Sequence, residues 1–247
     1  MRIAAFSDVH GNAVAFEQVL KDMKEMSPDA IFFLGDAVMK GPQPGECLEL
    51  LQGLQLDVAV KGNYDHMFTR FPKPGWTPAN AKQDMVLQAF HYDLSYLSEA
   101  QQNWLGTLPE KENLLVDQTN IECFHAAWNS LVQVTYPWSA PEEMHLLHEF
   151  DQTDLILFGH VHHAFIRQAN RRKVVNTGSV GLSFDGDPRA SYAIIDIDDQ
   201  NIAVQLRRVS YDREKVIEIA RNRNMPYLEA FESGIRLATY PSFENTR

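Results

Sequence analysis

Five short fragments constrain the fold of this chain, because each places a potential metal-ligating side chain directly after an apolar, β-branched or aromatic run. The fragments are Asp8-Val-His10, Gly35-Asp36, Gly62-Asn63-Tyr64-Asp65, Phe124-His125 and Gly159-His-Val-His162. A short apolar run bounded by glycine is typical of a buried strand. Polar side chains that follow several parallel strands meet at the carboxyl edge of the sheet. The chain is therefore predicted to form an α/β fold with one site at that edge.

The first 60 residues alternate between strand and helix patterns. Apolar runs at 3–6, 30–34 and 57–60 predict strands, and helical patterns at 13–26 and 45–54 lie between them. In the first helical pattern the apolar residues recur with a period of about 3.6 residues. Short links between alternating strands and helices predict a parallel sheet.

Residues 66–110 interrupt this alternation. Three prolines within 71–78 predict a loop, and 80–92 and 98–105 then predict helices. The second of these helices opens with the Ser-x-x-Gln spacing of a capping box. We expect this segment to form a helical insertion over the cleft, within a single domain that spans residues 1–247.

The second half of the chain is predicted to be mostly antiparallel. Paired apolar runs separated by short polar turns indicate three hairpins. A further buried strand and two helices complete this half, so the predicted fold class is mixed α/β (α+β). The hairpins lie at 113–125, 164–176 and 190–209, the strand at 155–158, and the helices at 141–150 and 212–223.

Composition narrows the class of protein. The chain has 247 residues, 45% of them hydrophobic, which suits one globular domain with a large core. Its formal net charge of −11 disfavours binding to nucleic-acid backbones and to anionic membranes. The two cysteines, Cys47 and Cys123, make no disulfide framework. Because there is no apolar run of about 18 residues, we expect a cytoplasmic protein; its oligomeric state is left open, a homo-oligomer included.

Side chains in the five fragments have the chemistry of metal ligands. Residues i and i+2 of an extended segment point the same way, so Asp8 and His10 can bind one ion. The carboxylate of Asp36 can bind two ions through its two oxygens, and Asn63 offers an amide oxygen. Taken singly, each residue has a common structural role as a helix cap, turn residue or strand-end histidine. The joint set is sufficient for two metal ions: Asp8, His10, Asp36, Asn63, His125, His160 and His162.

The type of ligand indicates the metal. Imidazole, carboxylate and amide ligands without thiolates suit Mn²⁺, Fe or Zn²⁺ better than Ca²⁺, and they argue against a structural zinc site. We predict two divalent ions as the cofactor, with Mn²⁺ ahead of Fe and Zn²⁺. His163 adjoins the pair of His160 and His162, but the alternation of an extended chain turns it away, so it is left out of the set.

The order of these fragments resembles the calcineurin-like metallophosphoesterase superfamily. The resemblance covers residues 1 to about 200 and includes Asn176-Thr-Gly-Ser-Val-Gly181 and Asp185-Gly-Asp-Pro-Arg-Ala190. These two segments are similar to the compact bacterial branch, with its YfcE-like phosphodiesterases and relatives of diadenosine tetraphosphatase. The resemblance implies a four-layer α-β-β-α sandwich of two mixed sheets with a dinuclear metal centre.

The same resemblance divides the ligands between two ions. One ion takes Asp8, His10, Asp36 and His162, and the other takes Asp36, Asn63, His125 and His160. Asp36 bridges the two ions, together with a shared water or hydroxide that attacks the phosphoryl group. The implied catalytic residues are Asp36, Asn63, Tyr64 and His125. Asp65 is expected to support a ligand or to cap the following turn.

Two positions depart from the superfamily pattern. Tyr64 stands where a histidine often serves as general acid, and a phenol with a pKa of about 10 is a weak proton donor. We predict that Tyr64 orients the substrate and that esters with good leaving groups are favoured. Phe184 stands where an arginine is frequent, so it either stacks on a substrate base or packs under its loop. Arg189 either binds the substrate or forms a salt bridge with Asp187 or Asp185.

The predicted function is hydrolysis of a small phosphate ester, such as a phosphodiester, an aryl phosphate or a nucleotide. Phosphomonoesterase and dinucleoside polyphosphate hydrolase activities stay open within that class. The competing class is a non-catalytic metal-binding scaffold on the same fold, and a nuclease is disfavoured by the net charge. Aromatic residues in the segments that wall the cleft either stack on a nucleobase or pack internally: Trp76, Trp128, Tyr136 and Trp138.

Overall fold

Two five-stranded sheets form the centre of the fold in a computed structural model that describes residues 1–73, 75–199 and 201–240. The strands are β1 (Arg2–Phe6), β2 (Ala30–Phe33), β3 (Val58–Ala59), β4 (Lys111–Val116), β5 (Thr119–Phe124), β6 (Leu155–Phe158), β7 (Phe165–Ala169), β8 (Arg172–Asn176), β9 (Ala190–Asp198) and β10 (Asn201–Val209). The first sheet has the order β10-β9-β1-β2-β3, and the second has the order β4-β5-β6-β8-β7.

The parallel sheet predicted for the start of the chain is confirmed. β1 pairs in parallel with β2, with Ile3 opposite Ala30, and β2 pairs in parallel with β3. The hairpin of β9 and β10 adds two antiparallel strands on the other side of β1. The N–H of Val60 still donates to the carbonyl of Phe33 at 3.0 Å, beyond the end of β3. The third strand is therefore shorter than predicted but lies in the predicted place.

The second sheet combines antiparallel hairpins with a parallel centre. β4–β5 and β7–β8 are antiparallel hairpins, as predicted. β6 lies between them and pairs in parallel with both β5 and β8. All four residues of β6 are buried, because a strand in the middle of a sheet that is covered on both faces needs apolar side chains on both.

Helices pack on the outer faces of the sheets. They are α1 (Ala13–Met26), α2 (Pro44–Gln52), α3 (Asn63–Arg70), α4 (Ala81–Tyr96), α5 (Glu99–Thr107), α6 (Pro141–Met144), α7 (Arg213–Asn222) and α8 (Leu228–Leu237). The predicted capping box is present at the start of α5, where Ser98 and Gln101 each accept the backbone N–H of the other. Within the described ranges, no helix has the length and apolar character needed to cross a membrane.

Three helices differ from the sequence prediction. The prediction lacks α3 and α8, and it extends α6 to residue 150 although the helix ends at Met144. The N–H groups of Glu149 and Phe150 donate to the buried carboxylate of Glu122, at 3.2 and 3.0 Å. The buried carboxylate of Glu122 needs these two donors. Because the N–H groups that donate to Glu122 are not available for helical hydrogen bonds, the helix does not continue to residue 150.

Apolar layers hold the sheets and helices together. One layer lies between the two sheets and includes Phe32, Leu157 and Ile195. A second lies between the first sheet and its helices and includes Phe90 of α4. A third covers the outer face of the second sheet and includes Phe124. Helices, sheet, sheet and an outer layer of helix and loop therefore follow one another, which confirms the predicted four-layer sandwich.

The segment predicted as a helical insertion contributes α4, α5 and most of α3. Its buried residues Phe90 and Leu105 join the apolar layer that also contains Leu48 of α2. The segment thus shares the core of the first sheet. The single domain predicted for residues 1–247 stays a prediction, and residues 241–247 lie outside the described part of the chain.

The carboxyl ends of five strands position the candidate site. β1 leads into Asp8, β2 into Asp36 and β3 into Asn63, while β5 leads into His125 and β6 into His160. The first three strands belong to one sheet and the other two to the second. The site therefore lies where equivalent edges of the two sheets meet.

Candidate metal centre

The seven predicted ligands come together at this edge. Oδ1 of Asp8 lies 3.2 Å from Nε2 of His162, 3.5 Å from Nε2 of His10 and 3.9 Å from Nε2 of His125. All four side chains are buried. One carboxylate oxygen thus faces three imidazole nitrogens, and these atoms fall into two groups that could each hold a metal ion.

A second group of ligands surrounds His125. Its Nε2 lies 3.3 Å from Oδ2 of Asp36, 3.2 Å from Oδ1 of Asn63 and 3.3 Å from Nδ1 of His160. Oδ2 of Asp36 is also 3.8 Å from Nε2 of His10. Asp36 adjoins both groups, and so does Asp8, which lies in each of the two clusters of potential ligands. The division of ligands between two ions, with Asp36 as the bridge, stays a prediction.

Three of the four predicted histidine ligands contact backbone carbonyls through the ring nitrogen that points away from the site. Nδ1 of His125 lies 2.8 Å from the carbonyl of Leu34, and Nδ1 of His10 lies 3.2 Å from that of Met39. Nδ1 of His162 contacts the carbonyl of Leu182. When Nδ1–H donates to a carbonyl, the lone pair of Nε2 is free to bind a metal. His160 is the exception, because its Nδ1 faces the site.

Five of the predicted ligands have a left-handed backbone, which residues other than glycine rarely adopt. Their φ angles are 55° for Asp8, 47° for His10, 59° for Asp36, 70° for His160 and 57° for His162. Each such residue costs on the order of 1 kcal/mol or more. The backbone hydrogen bonds of the strand ends hold them there, as in the bond from the N–H of Asp8 to the carbonyl of Gly35 at 2.9 Å. Because Asp8 and His10 have this left-handed backbone, the extended segment predicted for Asp8 to His10 is wrong, although the two side chains do converge.

Close approach between the strand ends requires a glycine at position 62. A Cβ atom on Gly62 would lie 2.0 Å from Oδ1 of Asp36 and 2.5 Å from its backbone nitrogen. The absence of a side chain also lets the N–H of Tyr64 reach Oδ1 of Asp36 at 2.9 Å. The glycine before Asn63 therefore sets the distance between the ends of β2 and β3.

The carboxylate of Asp8 provides a test of whether a metal fits this site. Its Oδ2 accepts from Ser7 Oγ at 2.5 Å and from the N–H of His160 at 3.0 Å. Its Oδ1 is buried and has no hydrogen-bond partner among the described residues. A buried carboxylate oxygen without a partner is costly, and a divalent ion would satisfy it. The donor set of imidazole, carboxylate and amide therefore fits a divalent metal.

The protonation of the metal-free site follows from its charges. Burial lowers the pKa of His125, but the carboxylates of Asp36 and Asp8 outweigh this effect and raise it to about 10. Burial, with the neighbouring His125, lowers the pKa of His160 to about 3. One imidazolium thus neutralises part of the carboxylate charge, and a bound metal ion would take its place.

Two buried carboxylates hold the loop that follows Asp36. Oδ2 of Asp65 accepts from the N–H of Asp36 at 2.6 Å, and Oδ1 accepts from that of Ala37 at 3.0 Å. Oδ2 of Asp93 accepts from the N–H of Met39 at 2.6 Å. The supporting role predicted for Asp65 thus has a geometric basis, whereas the sequence analysis missed Asp93. Asp93 follows directly after the helix predicted over 80–92, and nothing in the local sequence indicated a distant backbone partner.

Replacing Asp93 by Asn is expected to change the pH dependence of stability. Burial raises the pKa of the Asp93 carboxyl well above its usual range, so the folded protein favours the protonated acid. The contribution of protonated Asp93 to the free energy of unfolding is fully present below the unfolded pKa of about 4. It is lost as pH rises through the higher pKa of the folded state. Asn has no charge to bury and keeps an oxygen for Met39.

The measurement for Asp93→Asn is the melting temperature between about pH 5 and pH 8. Relative to the wild type, Asp93→Asn should gain roughly 3 °C or more across this range. Asp151, whose side chain is fully exposed, provides the matched control Asp151→Asn, which should show no such gain. Parallel pH profiles for Asp93→Asn and the wild type would contradict the assignment of a buried acid.

Tyr64 lies beside the candidate metal centre, next to Lys40, which was not predicted to be part of the site. Its ring is edge-on to that of His10, with centroids 5.7 Å apart. The ammonium of Lys40 lies 4.4 Å from the centroid of the Tyr64 ring. Lys40 is half-buried and has a left-handed backbone, with φ at 71°. A lysine four residues after a ligand is common on protein surfaces, so nothing in the sequence marked it.

Phe184 and Arg189 make contacts within the protein, which is one of the two roles predicted for each. The ring of Phe184 stacks flat on that of His162, with centroids 4.5 Å apart and planes 5° from parallel. The guanidinium of Arg189 forms a salt bridge with Asp187 at 2.6 Å, while Asp185 pairs with Arg208. Phe184 therefore supports a ligand, and substrate binding by Phe184 or Arg189 stays a prediction without a contact in its favour.

The four aromatic residues predicted in the cleft walls separate into two groups. Trp76 packs against Phe71 and Trp128 against Phe150, with ring centroids 5.0 and 5.2 Å apart. Tyr136 and Trp138 stack on each other, 4.9 Å apart and 11° from parallel. Both are edge-on to His163, whose ring therefore lies against an aromatic pair, and its exclusion from the ligands stays a prediction.

Known proteins are similar to this chain in sequence. The model of the calcineurin-like phosphoesterase superfamily domain matches residues 1–200. An uncharacterized protein of Methanocaldococcus jannaschii is 29% identical over 250 residues, covering 90% of this chain and 93% of that protein. Phosphodiesterase YfcE of Escherichia coli K12 is 25% identical over 223 residues, covering 83% of this chain and 97% of that protein.

A solved structure supports the same relationship. The metallophosphoesterase from Sphaerobacter thermophilus is 28% identical, with a TM-score of 0.75, and the match covers 96% of this chain and 99% of that chain. The predicted two-sheet fold and the predicted resemblance to the superfamily and its YfcE-like branch are thus confirmed.

Proposed function

The chain belongs to the calcineurin-like phosphoesterase superfamily, and on that premise we propose that it hydrolyses small phosphate esters at a centre of two divalent metal ions. Family membership and the similarity to a phosphodiesterase support a metal-dependent phosphoesterase, which is a hydrolase. The proposal adds the number of ions, the role of each ligand and the size of the substrate. One observation carries it: the buried Oδ1 of Asp8 has no hydrogen-bond partner among the described residues and faces three imidazoles.

The ligands divide into two sets that share Asp36. Asp8, His10 and His162 would hold one ion, and Asn63, His125 and His160 the other. The carboxylate of Asp36 lies between His10 and His125, which is the position a bridging ligand needs. Mn²⁺ is the proposed metal, with Fe or Zn²⁺ as alternatives, because the set offers imidazole, carboxylate and amide but no thiolate.

Charge explains how an acidic protein would bind a phosphate ester. Two divalent ions, when bound, lower the pKa of a coordinated water and clamp phosphoryl oxygens for in-line attack. Bound at Asp8 and Asp36, two such ions would outweigh the two carboxylates, and the centre would be locally cationic although the whole chain carries −11. Lys40 adds a further positive charge beside Tyr64. The loaded centre would therefore attract a phosphoryl group to this edge of the fold despite the acidic net charge of the chain.

The experiment that tests the proposal is a substrate screen on the purified protein with Mn²⁺. Bis-aryl phosphate, mono-aryl phosphate and dinucleoside polyphosphates are compared, which separates the phosphodiesterase, phosphomonoesterase and polyphosphate hydrolase alternatives. We expect turnover of at least one aryl ester. Absence of turnover with all three classes under Mn²⁺, Fe²⁺ and Zn²⁺ would favour a non-catalytic metal-binding scaffold.

Tyr64→Phe tests the predicted role of the phenol. The hydroxyl can donate a hydrogen bond to the substrate but is a poor acid at neutral pH. Its loss should matter most where the leaving oxygen depends on that bond, so kcat/KM should fall roughly tenfold more for an alkyl than for an aryl ester. The control is Tyr96→Phe, since Tyr96 packs on Tyr92 away from the ligands. Equal losses on both esters would contradict the leaving-group prediction.

A further inference from the structure

An apolar pocket adjoins the metal centre. Its cavity volume is about 40 Å³, with open solvent beyond its mouth, and its lining includes Lys40, Leu182, Phe184, Ala230, Phe231 and Tyr240. Except for the ends of Lys40 and the tyrosines, its walls are mainly aliphatic and aromatic carbon. A space of this size, open at its mouth, accommodates a single ring or a branched alkyl group.

The pocket and the metal centre share a wall. The Phe184 ring that lines the pocket stacks on His162, and the carbonyl of Leu182 contacts Nδ1 of the same histidine. On the opposite side, Lys40 lines the pocket and its ammonium lies over the ring of Tyr64. The backbone N–H of Tyr64 in turn donates to Asp36. Two side chains that line the pocket, Phe184 and Lys40, thus contact residues of the metal centre.

The far wall is built by the C-terminal part of the chain. α8 contributes Ala230 and Phe231, and Tyr240 lies edge-on to Phe184 with centroids 5.2 Å apart. The hydroxyl of Tyr227 donates to Asp84 of α4 at 2.5 Å, which ties α8 to the helices of the first sheet. The superfamily domain matches only residues 1–200. The pocket is therefore completed by residues beyond that matched domain.

The chemistry of the walls selects among phosphate esters. A nucleobase carries several donors and acceptors on its edges, and leaving one buried without a partner costs about 1–3 kcal/mol. An apolar aromatic group has no such groups and gains from burial in proportion to its area. Lys40 adds a positive charge to the wall that adjoins Tyr64. Burial lowers the pKa of Lys40, but neighbouring Tyr64 and Tyr240 outweigh this and raise it, so the side chain is a cation at neutral pH.

We propose that this pocket binds an apolar aromatic substituent of the substrate, with the phosphoryl group held between Lys40 and the metal ligands. The inference rests on the proposed phosphoesterase function and narrows its substrate class. Esters that carry an aryl group are preferred over esters with only small alkyl groups and over nucleotides. Lys40 contributes to binding of the anionic head, and the pocket distinguishes one substituent from another.

A series of phosphonates with one head group tests this directly. Methyl-, phenyl- and 1-naphthylphosphonate carry the same charge and differ only in the apolar group. They are measured as competitive inhibitors of aryl-ester turnover and by calorimetry on the Mn²⁺-loaded protein. The inhibition constant should fall roughly tenfold from methyl to phenyl and further to naphthyl. Adenosine monophosphate should bind more weakly than the naphthyl compound, and tighter binding of the nucleotide would overturn the assignment.

Matched substitutions on α8 locate the effect. We call the increase in affinity from methyl- to phenyl- to naphthylphosphonate the gradient. Ala230 is half-buried and lines the pocket, so Ala230→Phe should fill it and abolish the gradient while leaving methylphosphonate affinity unchanged. Glu229→Phe places the same side chain on the exposed neighbouring position and should keep the gradient. If Ala230→Phe does not fold, Ala230→Val fills less of the space and should remove part of the gradient.

The two proposals fail in different ways. Turnover of aryl and alkyl esters with no gradient among the phosphonates, or a gradient that survives in a folded Ala230 variant, would overturn the pocket and leave the phosphoesterase function intact. A gradient in calorimetry that depends on Ala230, without turnover of any ester, would support the pocket and overturn the proposed catalysis.

Discussion

Asp36→Asn is expected to reduce hydrolysis of aryl phosphate esters at least about a thousandfold, or roughly 4 kcal/mol of transition-state stabilisation. Oδ2 of Asp36 lies 3.3 Å from Nε2 of His125 and 3.8 Å from Nε2 of His10, between the two ligand sets. An amide has nearly the same shape but only one neutral oxygen, so it removes a negative charge and one ligand atom. The measurement is kcat/KM at saturating Mn²⁺.

Asp151→Asn is the control for this loss, because the side chain of Asp151 is fully exposed and Asp151 is not one of the predicted ligands. It should retain the wild-type rate. Circular dichroism and melting curves establish that Asp36→Asn is folded. A rate close to the wild type for folded Asp36→Asn, with metal present, would contradict the bridging role of Asp36.

Metal binding is expected to produce the largest change in stability. The free site buries the carboxylates of Asp8 and Asp36 with an imidazolium as partial compensation, and it leaves Oδ1 of Asp8 without a hydrogen-bond partner among the described residues. A metal at a thousandfold excess over its Kd stabilises the folded state by about 4 kcal/mol. For a chain of this size the melting temperature should rise by roughly 10 °C. Differential scanning calorimetry with chelator and then with Mn²⁺ measures this shift.

Two controls, Asp8→Asn and a change of metal, test whether the rise in melting temperature comes from binding at this site. Asp8→Asn should lose most of the rise, because Asp8 lies in both clusters of potential ligands. Ca²⁺ should give a smaller rise than Mn²⁺, since the set is rich in imidazole, which Ca²⁺ does not favour. Melting temperatures that are the same with chelator, Mn²⁺, Fe²⁺ and Zn²⁺ would show that this cluster is not a metal site.

Much of the candidate site could be predicted from sequence because its ligands follow strands. An apolar run ends where the strand ends, so Asp8, Asp36 and His125 could be placed at one edge from local pattern alone. Their order along the chain then carried the resemblance. Asn63 was placed by the same logic, although the helix α3 that it opens was not predicted. The eight residues after Gly62, most of them polar, gave too short a pattern to predict a helix.

The remaining features depend on contacts between distant parts of the chain. Asp93 supports Met39 across 54 positions, and Phe184 stacks on His162 only because the fold brings their loops together. The left-handed backbone of the ligands is likewise imposed by hydrogen bonds between strand ends. The helix α8 has Phe231 and Ile235 at helical spacing, so its pattern was present in the sequence, but their packing on α7 and the Phe184 loop could not be predicted. No local periodicity reports such contacts.

Anomalous diffraction from crystals grown with Mn²⁺ tests the central claim most directly, since it counts the ions and shows what each one contacts. Two peaks about 3.5–4 Å apart are expected, one beside His10 and His162 and the other beside His125 and His160, with the carboxylate of Asp36 bound to both. A single peak, or two peaks of which Asp36 contacts only one, would contradict the dinuclear centre with Asp36 as its bridge.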